Sequence, residues 1–265
     1  MRVRATQVRA GLGAAGRMVT RRRAAPGALV LAYHDVSSNP TDEPWSVTVD
    51  GLAAHVRTLR RLGTTIVDLA LIVERQRRGQ TIEGLAAITF DDALKGVYRH
   101  GLPLLAKLDV PSTVFVVTGT LGSEPPWWPG ASPTMTAEEL REIGAAGVRL
   151  AAHSRTHRSL PSLSRDELVN ELAGCRDDLA ALVPEPTRLI AYPSGHHNRA
   201  VRRVAAGCGF VAGFTFLNGR VTERDDPYRL PRLTMGSHVR PWRLVYHVAR
   251  SPDTWPDHQL EAVVA

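Results

Sequence analysis

Thr89-Phe90-Asp91-Asp92 and, further along, His153-Ser154-Arg155-Thr156-His157 hold the side chains of this chain best suited to chemistry. Two adjacent carboxylates and two imidazoles supply a metal site and a base to work beside it. Neutral imidazoles with a carboxylate are what a borderline divalent ion such as zinc prefers, and three protein ligands leave a position open for water or substrate. The apolar run Leu85-Ala86-Ala87-Ile88-Thr89-Phe90 reads as a buried strand that ends at the acids. In parallel α/β folds, groups at the carboxyl ends of strands do the chemistry. Neighbouring side chains on a strand point to opposite faces, so Asp91 and Asp92 share a site only where the strand is ending, and two roles fit better than one bidentate clamp. Alone, an Asp-Asp pair reads as a cap or turn and an H-x-x-x-H as a surface pair. Both in order, each after an apolar strand-like run and with a Pro-Ser-Gly turn beyond, reverse that reading.

The two motifs resemble those of the polysaccharide deacetylases, carbohydrate esterase family four, written T-F-D-D and H-[ST]-x-x-H. By position, the resemblance implies Asp91 as general base and Asp92, His153 and His157 as ligands of a divalent metal, zinc first, with cobalt, nickel or iron fitting the same set. The third family motif, R-x-P-x-G, matches in part as Ala191-Tyr192-Pro193-Ser194-Gly195, with Ala191 where the family has an arginine that orients the base. The resemblance sets the Ser194 N–H against the oxyanion and Tyr192, Pro193 and Gly195 along the substrate. An Asp-Trp fourth motif has no counterpart, and the L-x-H that supplies the general acid is missing near the C-terminus. Leu31-Ala32-Tyr33-His34-Asp35-Val36 instead resembles the opening strand of a circularly permuted branch that includes poly-N-acetylglucosamine deacetylases. There the acid comes from the first strand. His34 is therefore the candidate acid, and a buried strand histidine bonded to a backbone carbonyl is the alternative; His238 and His247 are further candidates. Leu230-Pro231-Arg232 resembles a strand ending in L-P-R of small sugar-pathway members, and Arg232 stands as a replacement for the missing arginine beside Asp91.

The resemblance implies metal-dependent hydrolysis of the N-acetyl group of an amino sugar in a polysaccharide or oligosaccharide. A lipid-linked or formamido sugar is the close alternative, and a degenerate carbohydrate-binding relative a more distant one, against which both retained aspartates argue. Trp127-Trp128-Pro129 sits in a Pro- and Gly-rich loop between strand and helix. Its rings either stack on substrate sugars or pack over the barrel mouth. His196-His197 reads as the polar start of a helix.

These residues need a scaffold, and strand-helix alternation supplies one. Strands are expected from Ala28 to His34, at Ile66-Val67, at the acid-bearing run, from Ser112 to Val117, from Val148 to Ala152, from Leu189 to Tyr192 and from Phe210 to Phe216. Between them lie helical patterns, two with capping boxes at Thr136/Glu139 and Ser164/Glu167. Leu168, Leu172, Cys175, Leu179 and Leu182 form a core-facing stripe. The alternation predicts a parallel sheet, and the resemblance implies a distorted (β/α)7-type barrel, a single domain over 28–265. At 265 residues one large core is within reach. Net charge is +7, and Arg2, Arg4, Arg9, Arg17 and Arg21-Arg22-Arg23 concentrate it in an arm over 1–27, expected to be flexible and at most peripheral to anionic lipid. Gly11 to Gly16 is too short for a signal-peptide core, so the expectation is a cytoplasmic protein. No nucleic-acid motif is present and the arginines are not interleaved with aromatics, which argues against a single-strand nucleic-acid groove. Cys175 and Cys208 are expected as buried thiols.

Overall fold

The computed structural model describes residues 26–40 and 43–249, without the side chains of His247 and Ala249. The arm expected over 1–27 thus lies outside the described residues apart from Pro26 and Gly27, whose carbonyls accept from Arg220. The His247 imidazole lies outside them as well.

The chain opens with β1 (Leu29–Tyr33), a short parallel pair β2 (Asp35–Ser37) and β3 (Ser46–Thr48), then α1 (Val49–Arg61), β4 (Thr65–Ile66) and α2 (Leu69–Arg77). There follow β5 (Leu85–Phe90), α3 (Leu102–Lys107), β6 (Ser112–Val116), α4 (Ala137–Ala145), β7 (Arg149–Ala152) and α5 (Arg165–Leu182). The last elements are β8 (Leu189–Ala191), α6 (Arg199–Gly207), β9 (Ala212–Phe214), β10 (Leu233–Thr234) and α7 (Pro241–Ala249). Every pairing in the main sheet is parallel, in the order β10-β1-β5-β6-β7-β8-β9, with β4 added to the start of β5. Leu230 bridges Phe214 at one edge while Leu233 pairs with Leu31 at the other. The segment 230–234 therefore spans the two edges and curls the sheet into the expected distorted barrel.

Strands covered on both faces read as continuous apolar runs, which is why β1, β6 and β8 are buried throughout. Their side chains alternate between two cores. Leu29, Leu31, Tyr33, Ala86, Ile88, Phe90, Ala152, Ile190 and Tyr192 belong to the outer one, under the helices. Val30, Ala87, Phe115, Ala151, Leu189, Ala191 and Phe214 fill the inner one. Leu69, Ile72 and Val73 of α2 join the inner core and plug the end of the barrel where the strands begin, so the open mouth lies at the strands' carboxyl ends.

Both expected capping boxes form. On α5 the stripe is buried from Leu168 to Leu179 and half-buried at Leu182. Cys175 and Cys208 are free and buried, the latter at the cap of α6. The strand read over 210–216 is shorter, because the Tyr228 hydroxyl takes the Phe210 carbonyl at 2.8 Å and the Leu217 N–H turns to Thr215 Oγ1 at 3.1 Å. Among the described residues no helix is long and apolar enough to cross a membrane.

Candidate active site

Strand alternation aims the catalytic candidates before any contact is made. Ala87 points inward on β5, so Thr89 and Asp91 do too; Ala151 points inward on β7, so His153 follows; Val30 points inward on β1, so His34 follows. Asp92 would point outward if the strand continued. Its φ of 66°, followed by 55° at Ala93, turns the backbone through the left-handed region and swings Asp92 to the same mouth as Asp91.

Asp91 is fully buried, and Arg232 grips both of its oxygens, Nη1 to Oδ1 and Nη2 to Oδ2 at 2.7 Å each. Arg232 faces inward from the segment that closes the sheet and is itself fully buried, its guanidinium over the ring of Phe216 at 4.7 Å. Burial works to raise the Asp91 carboxyl, but the Arg232 charge, with His153 adding to it, holds it well below the ordinary carboxylate range. The vacancy at Ala191 is thereby filled from the segment just before β10, as the L-P-R resemblance implies.

Asp92, His153 and His157 converge. Asp92 Oδ1 lies 3.5 Å from Nε2 of each histidine, and the three ligand atoms fall within 4.8 Å of one another. His153 Nδ1 is 2.8 Å from the Ala191 carbonyl. A carbonyl only accepts, so Nδ1 carries the proton and Nε2 offers its lone pair to the site. Burial lowers the His153 imidazole, and burial, followed by the neighbouring His153, lowers His157 to about 2, so both are neutral donors. Asp92 Oδ1 is buried with no hydrogen-bond partner, while burial and the neighbouring Asp91 charge push its carboxyl up to about 8. An orphaned carboxylate oxygen facing two neutral imidazole nitrogens fits a divalent cation, whose charge would answer this cost.

The loop carrying His157 is clamped from α5. The Glu171 carboxylate, only 2 % exposed, accepts from the N–H of Arg155 at 2.9 Å, the N–H of Thr156 at 2.8 Å and the Thr156 hydroxyl. Asp178 takes Arg155 in two places, at 2.9 and 2.8 Å, and the Thr118 hydroxyl at 2.7 Å. Within the loop, Ser154 Oγ accepts from the His157 N–H at 3.0 Å, and both residues have positive φ. Sequence reasoning missed Glu171. Its signal was a carboxylate three residues after Leu168 and four before Cys175, on the face that packs inward.

His34 is 9 % exposed and lies among Trp45, Trp128 and Phe216, with ring centroids 5.2, 6.3 and 5.6 Å away. Its Nδ1 is buried and bonded to nothing, so the alternative of a carbonyl-bonded strand histidine is not what the structure shows. Burial lowers it to about 4 despite the Asp91 charge. His238 is exposed beyond β10.

The third motif divides. Ser194, at φ 53° and ψ 15°, is exposed at the mouth and its N–H makes no hydrogen bond to a described residue. A Cβ at Gly195 would lie 2.6 Å from the Phe216 nitrogen, so only glycine allows this approach. Tyr192 is a correction. It was expected along the substrate, but strand alternation turns it into the outer core, where it is fully buried, donates to the Tyr228 carbonyl at 3.1 Å and stacks on His197. Pro193, also expected there, is buried as the start of the turn. Trp127 and Trp128 are half-buried, and neither is a free sugar platform. Trp127 stacks on His157 at 4.2 Å, and Trp128 stands edge-on to His34.

Comparison with known proteins agrees with this geometry. A family profile described as polysaccharide deacetylase matches residues 78–213, a span that holds Asp91, Asp92, His153, His157 and Ser194 and leaves out His34 and Arg232. A poly-β-1,6-N-acetyl-D-glucosamine N-deacetylase of Staphylococcus aureus is 23 % identical over 228 residues, covering 78 % of this chain and 78 % of that protein. The Streptococcus pyogenes deacetylase PplD in complex with acetate superposes with a TM-score of 0.73 at 21 % identity, over 84 % of this chain and 99 % of that one. IcaB from Ammonifex degensii gives 0.73 at 24 %, over 85 % and 98 %. With its fold matched and more than half its length within the family profile, the chain belongs to the polysaccharide deacetylase family of metal-dependent amide hydrolases.

Proposed function

We propose that this protein removes the acetyl group from N-acetylated amino-sugar units of a polysaccharide or oligosaccharide, releasing acetate. The observation that carries this reading is a carboxylate kept ionised, Asp91, directly beside a converging Asp92, His153 and His157 at the barrel mouth. A relative named as a poly-β-1,6-N-acetyl-D-glucosamine N-deacetylase, and a structural neighbour solved with acetate, support the choice of substrate class.

Asp92 Oδ1 and the Nε2 atoms of His153 and His157 would hold the ion, with zinc the first choice for this donor set. Such an ion, when bound, acidifies a water and polarises an acyl oxygen. Asp91 accepts the proton of the attacking water, with Arg232 holding its plane and favouring its charged form. The N–H of Ser194 donates to the acyl oxygen as negative charge builds on it; one such donor is typically worth about 3 kcal/mol. His34 gives the leaving amine its proton as the C–N bond breaks, so over the cycle the proton gained by Asp91 balances the one lost by His34. Burial leaves His34 neutral at rest, so it takes its proton from solvent before donating, an uptake the Asp91 charge favours, and the proton gained by Asp91 returns to solvent when the products leave. Trp45, Trp128 and Phe216 shut water away from that transfer.

The test is acetate release from N-acetylglucosamine oligomers by zinc-loaded protein, beside Asp91→Asn and His34→Ala. Release should fall about 10²- to 10⁴-fold in each variant. Stoichiometric metal binding with no acetate released would overturn the substrate assignment and direct the search to lipid-linked or formamido sugars.

A further inference from the structure

Two of the three proposed ligands lack the outer partner that normally orients a metal ligand. His153 has one in the Ala191 carbonyl. For His157, no hydrogen bond from another described residue fixes the ring, and Asp92 Oδ1 is buried without a partner. Trp127 meets both. Its ring lies flat on His157, centroids 4.2 Å apart and planes inclined by 15°. Its indole nitrogen is buried and has formed no hydrogen bond. A buried donor and a buried acceptor are thus both unsatisfied, on two residues that stand against the same imidazole, the Trp127 ring on its face and Asp92 Oδ1 3.5 Å from its Nε2.

Trp127 is held there by its own loop. The Trp128 N–H bonds to the Pro125 carbonyl at 3.0 Å, and the Gly130 N–H to Glu124 Oε1 at 2.7 Å. Ser132 Oγ donates to Asp35 Oδ2 at 2.9 Å, tying the loop to the residue next to His34.

We propose that Trp127 is a positioning residue for the metal centre: its ring face aligns His157, and its indole N–H donates to the Asp92 carboxylate when that carboxylate ligates the ion. The inference rests on the reading of Asp92, His153 and His157 as metal ligands. It assigns Trp127 to the metal rather than to the sugar, because the ring face is spent on His157.

The experiment titrates Co²⁺ into metal-free protein against a competing chelator, recording affinity and the visible d–d spectrum for the parent, Trp127→Phe and Trp127→Leu, with melting of each metal-free protein alongside. Loss of an outer partner costs a metal site about 10- to 100-fold in affinity. Trp127→Leu, which loses face and donor, should show that loss with shifted d–d bands, and Trp127→Phe, which keeps the face alone, a smaller one. Parental affinity and spectrum in Trp127→Leu would overturn the proposal while leaving the metal site standing. A raised KM for glycan oligomers with unchanged Co²⁺ binding would overturn it in favour of a sugar platform. Should Trp127→Leu melt early, Trp127→Phe decides: parental melting with parental affinity and spectrum overturns the donor role. A parent that binds no Co²⁺ sinks the underlying metal reading instead.

Discussion

Arg232 holds Asp91 through both carboxylate oxygens, and neither side chain touches solvent. The partners stand 141 residues apart and meet only because the segment 230–234 lies along β1. A planar fork matches a carboxylate where a lysine ammonium cannot. Arg232→Lys should therefore fold but lose about 10- to 100-fold in kcat, because the proposed base is no longer held in plane. Arg232→Met leaves a buried charge unpaired, a cost of about 3–5 kcal/mol. That corresponds to a melting temperature lower by about 10 °C. Adding Asp91→Asn to Arg232→Met should restore part of it. Parental melting in Arg232→Met would show the pair to be dispensable for the fold.

Glu171 reaches the metal loop from α5 through two backbone N–H groups and one hydroxyl. Its hydrogen bonds go to Arg155 and Thr156 and to none of the proposed ligands, so its effect must pass through the loop backbone. Glu171→Ala strips three bonds from a buried segment, and metal affinity should fall about 10- to 100-fold. Competition with a chromophoric chelator measures this; Glu171→Gln, which keeps acceptor capacity, should lose less.

Cys175 lies under β6 with Sγ 3.6 Å from the Val116 carbonyl, and burial pushes its thiol up to about 12. Burial raises Cys208 as well. Since the thiolate is the reacting form, native protein at pH 8 should resist iodoacetamide at Cys175 and react at both positions only when unfolded. Peptide mass spectrometry reads this directly, and rapid native labelling of Cys175 would contradict the packing.

His55 reports pH through stability. Its Nε2 lies 2.8 Å from the Val239 carbonyl and therefore carries the proton, while Nδ1 accepts from the Tyr33 hydroxyl at 3.1 Å. Protonating Nδ1 would set two donors face to face, and burial already lowers this imidazole. The unfolded chain takes up that proton near 6.5, so below that value it binds more protons than the folded one. The stability tied to His55 is present above about 6.5 and lost as pH falls from there. Melting temperatures should drop between pH 7.5 and 5, and His55→Gln should flatten the drop. Asp92, raised to about 8, works in the opposite sense, but parent and variant share it, so the difference isolates His55. Equal pH profiles in parent and His55→Gln would remove His55 from the account.

Much of the site was legible because it is local. An apolar run ending in Asp91-Asp92, and a strand leading into His153, state which side chains emerge at the carboxyl ends of strands. The capping boxes, the α5 stripe and the buried thiols follow from spacing alone. Alternation could also have turned Tyr192 away from the substrate: Ala191 faces in, so its neighbour faces out. Motif position alone puts Tyr192 on the substrate, and the pleat of β8 overrides it. Glu171 was readable as a carboxylate on an inward face, but nothing in its spacing named the loop it clamps.

The chain by itself therefore determined which residue types reach the barrel mouth, because side-chain direction along a strand has a period of two and needs no knowledge of the rest of the fold. The tertiary structure decided what they meet there. Arg232 on Asp91, Trp127 on His157 and the aromatic wall around His34 join segments far apart in sequence, and such contacts exist only once the curled sheet has brought its edges together.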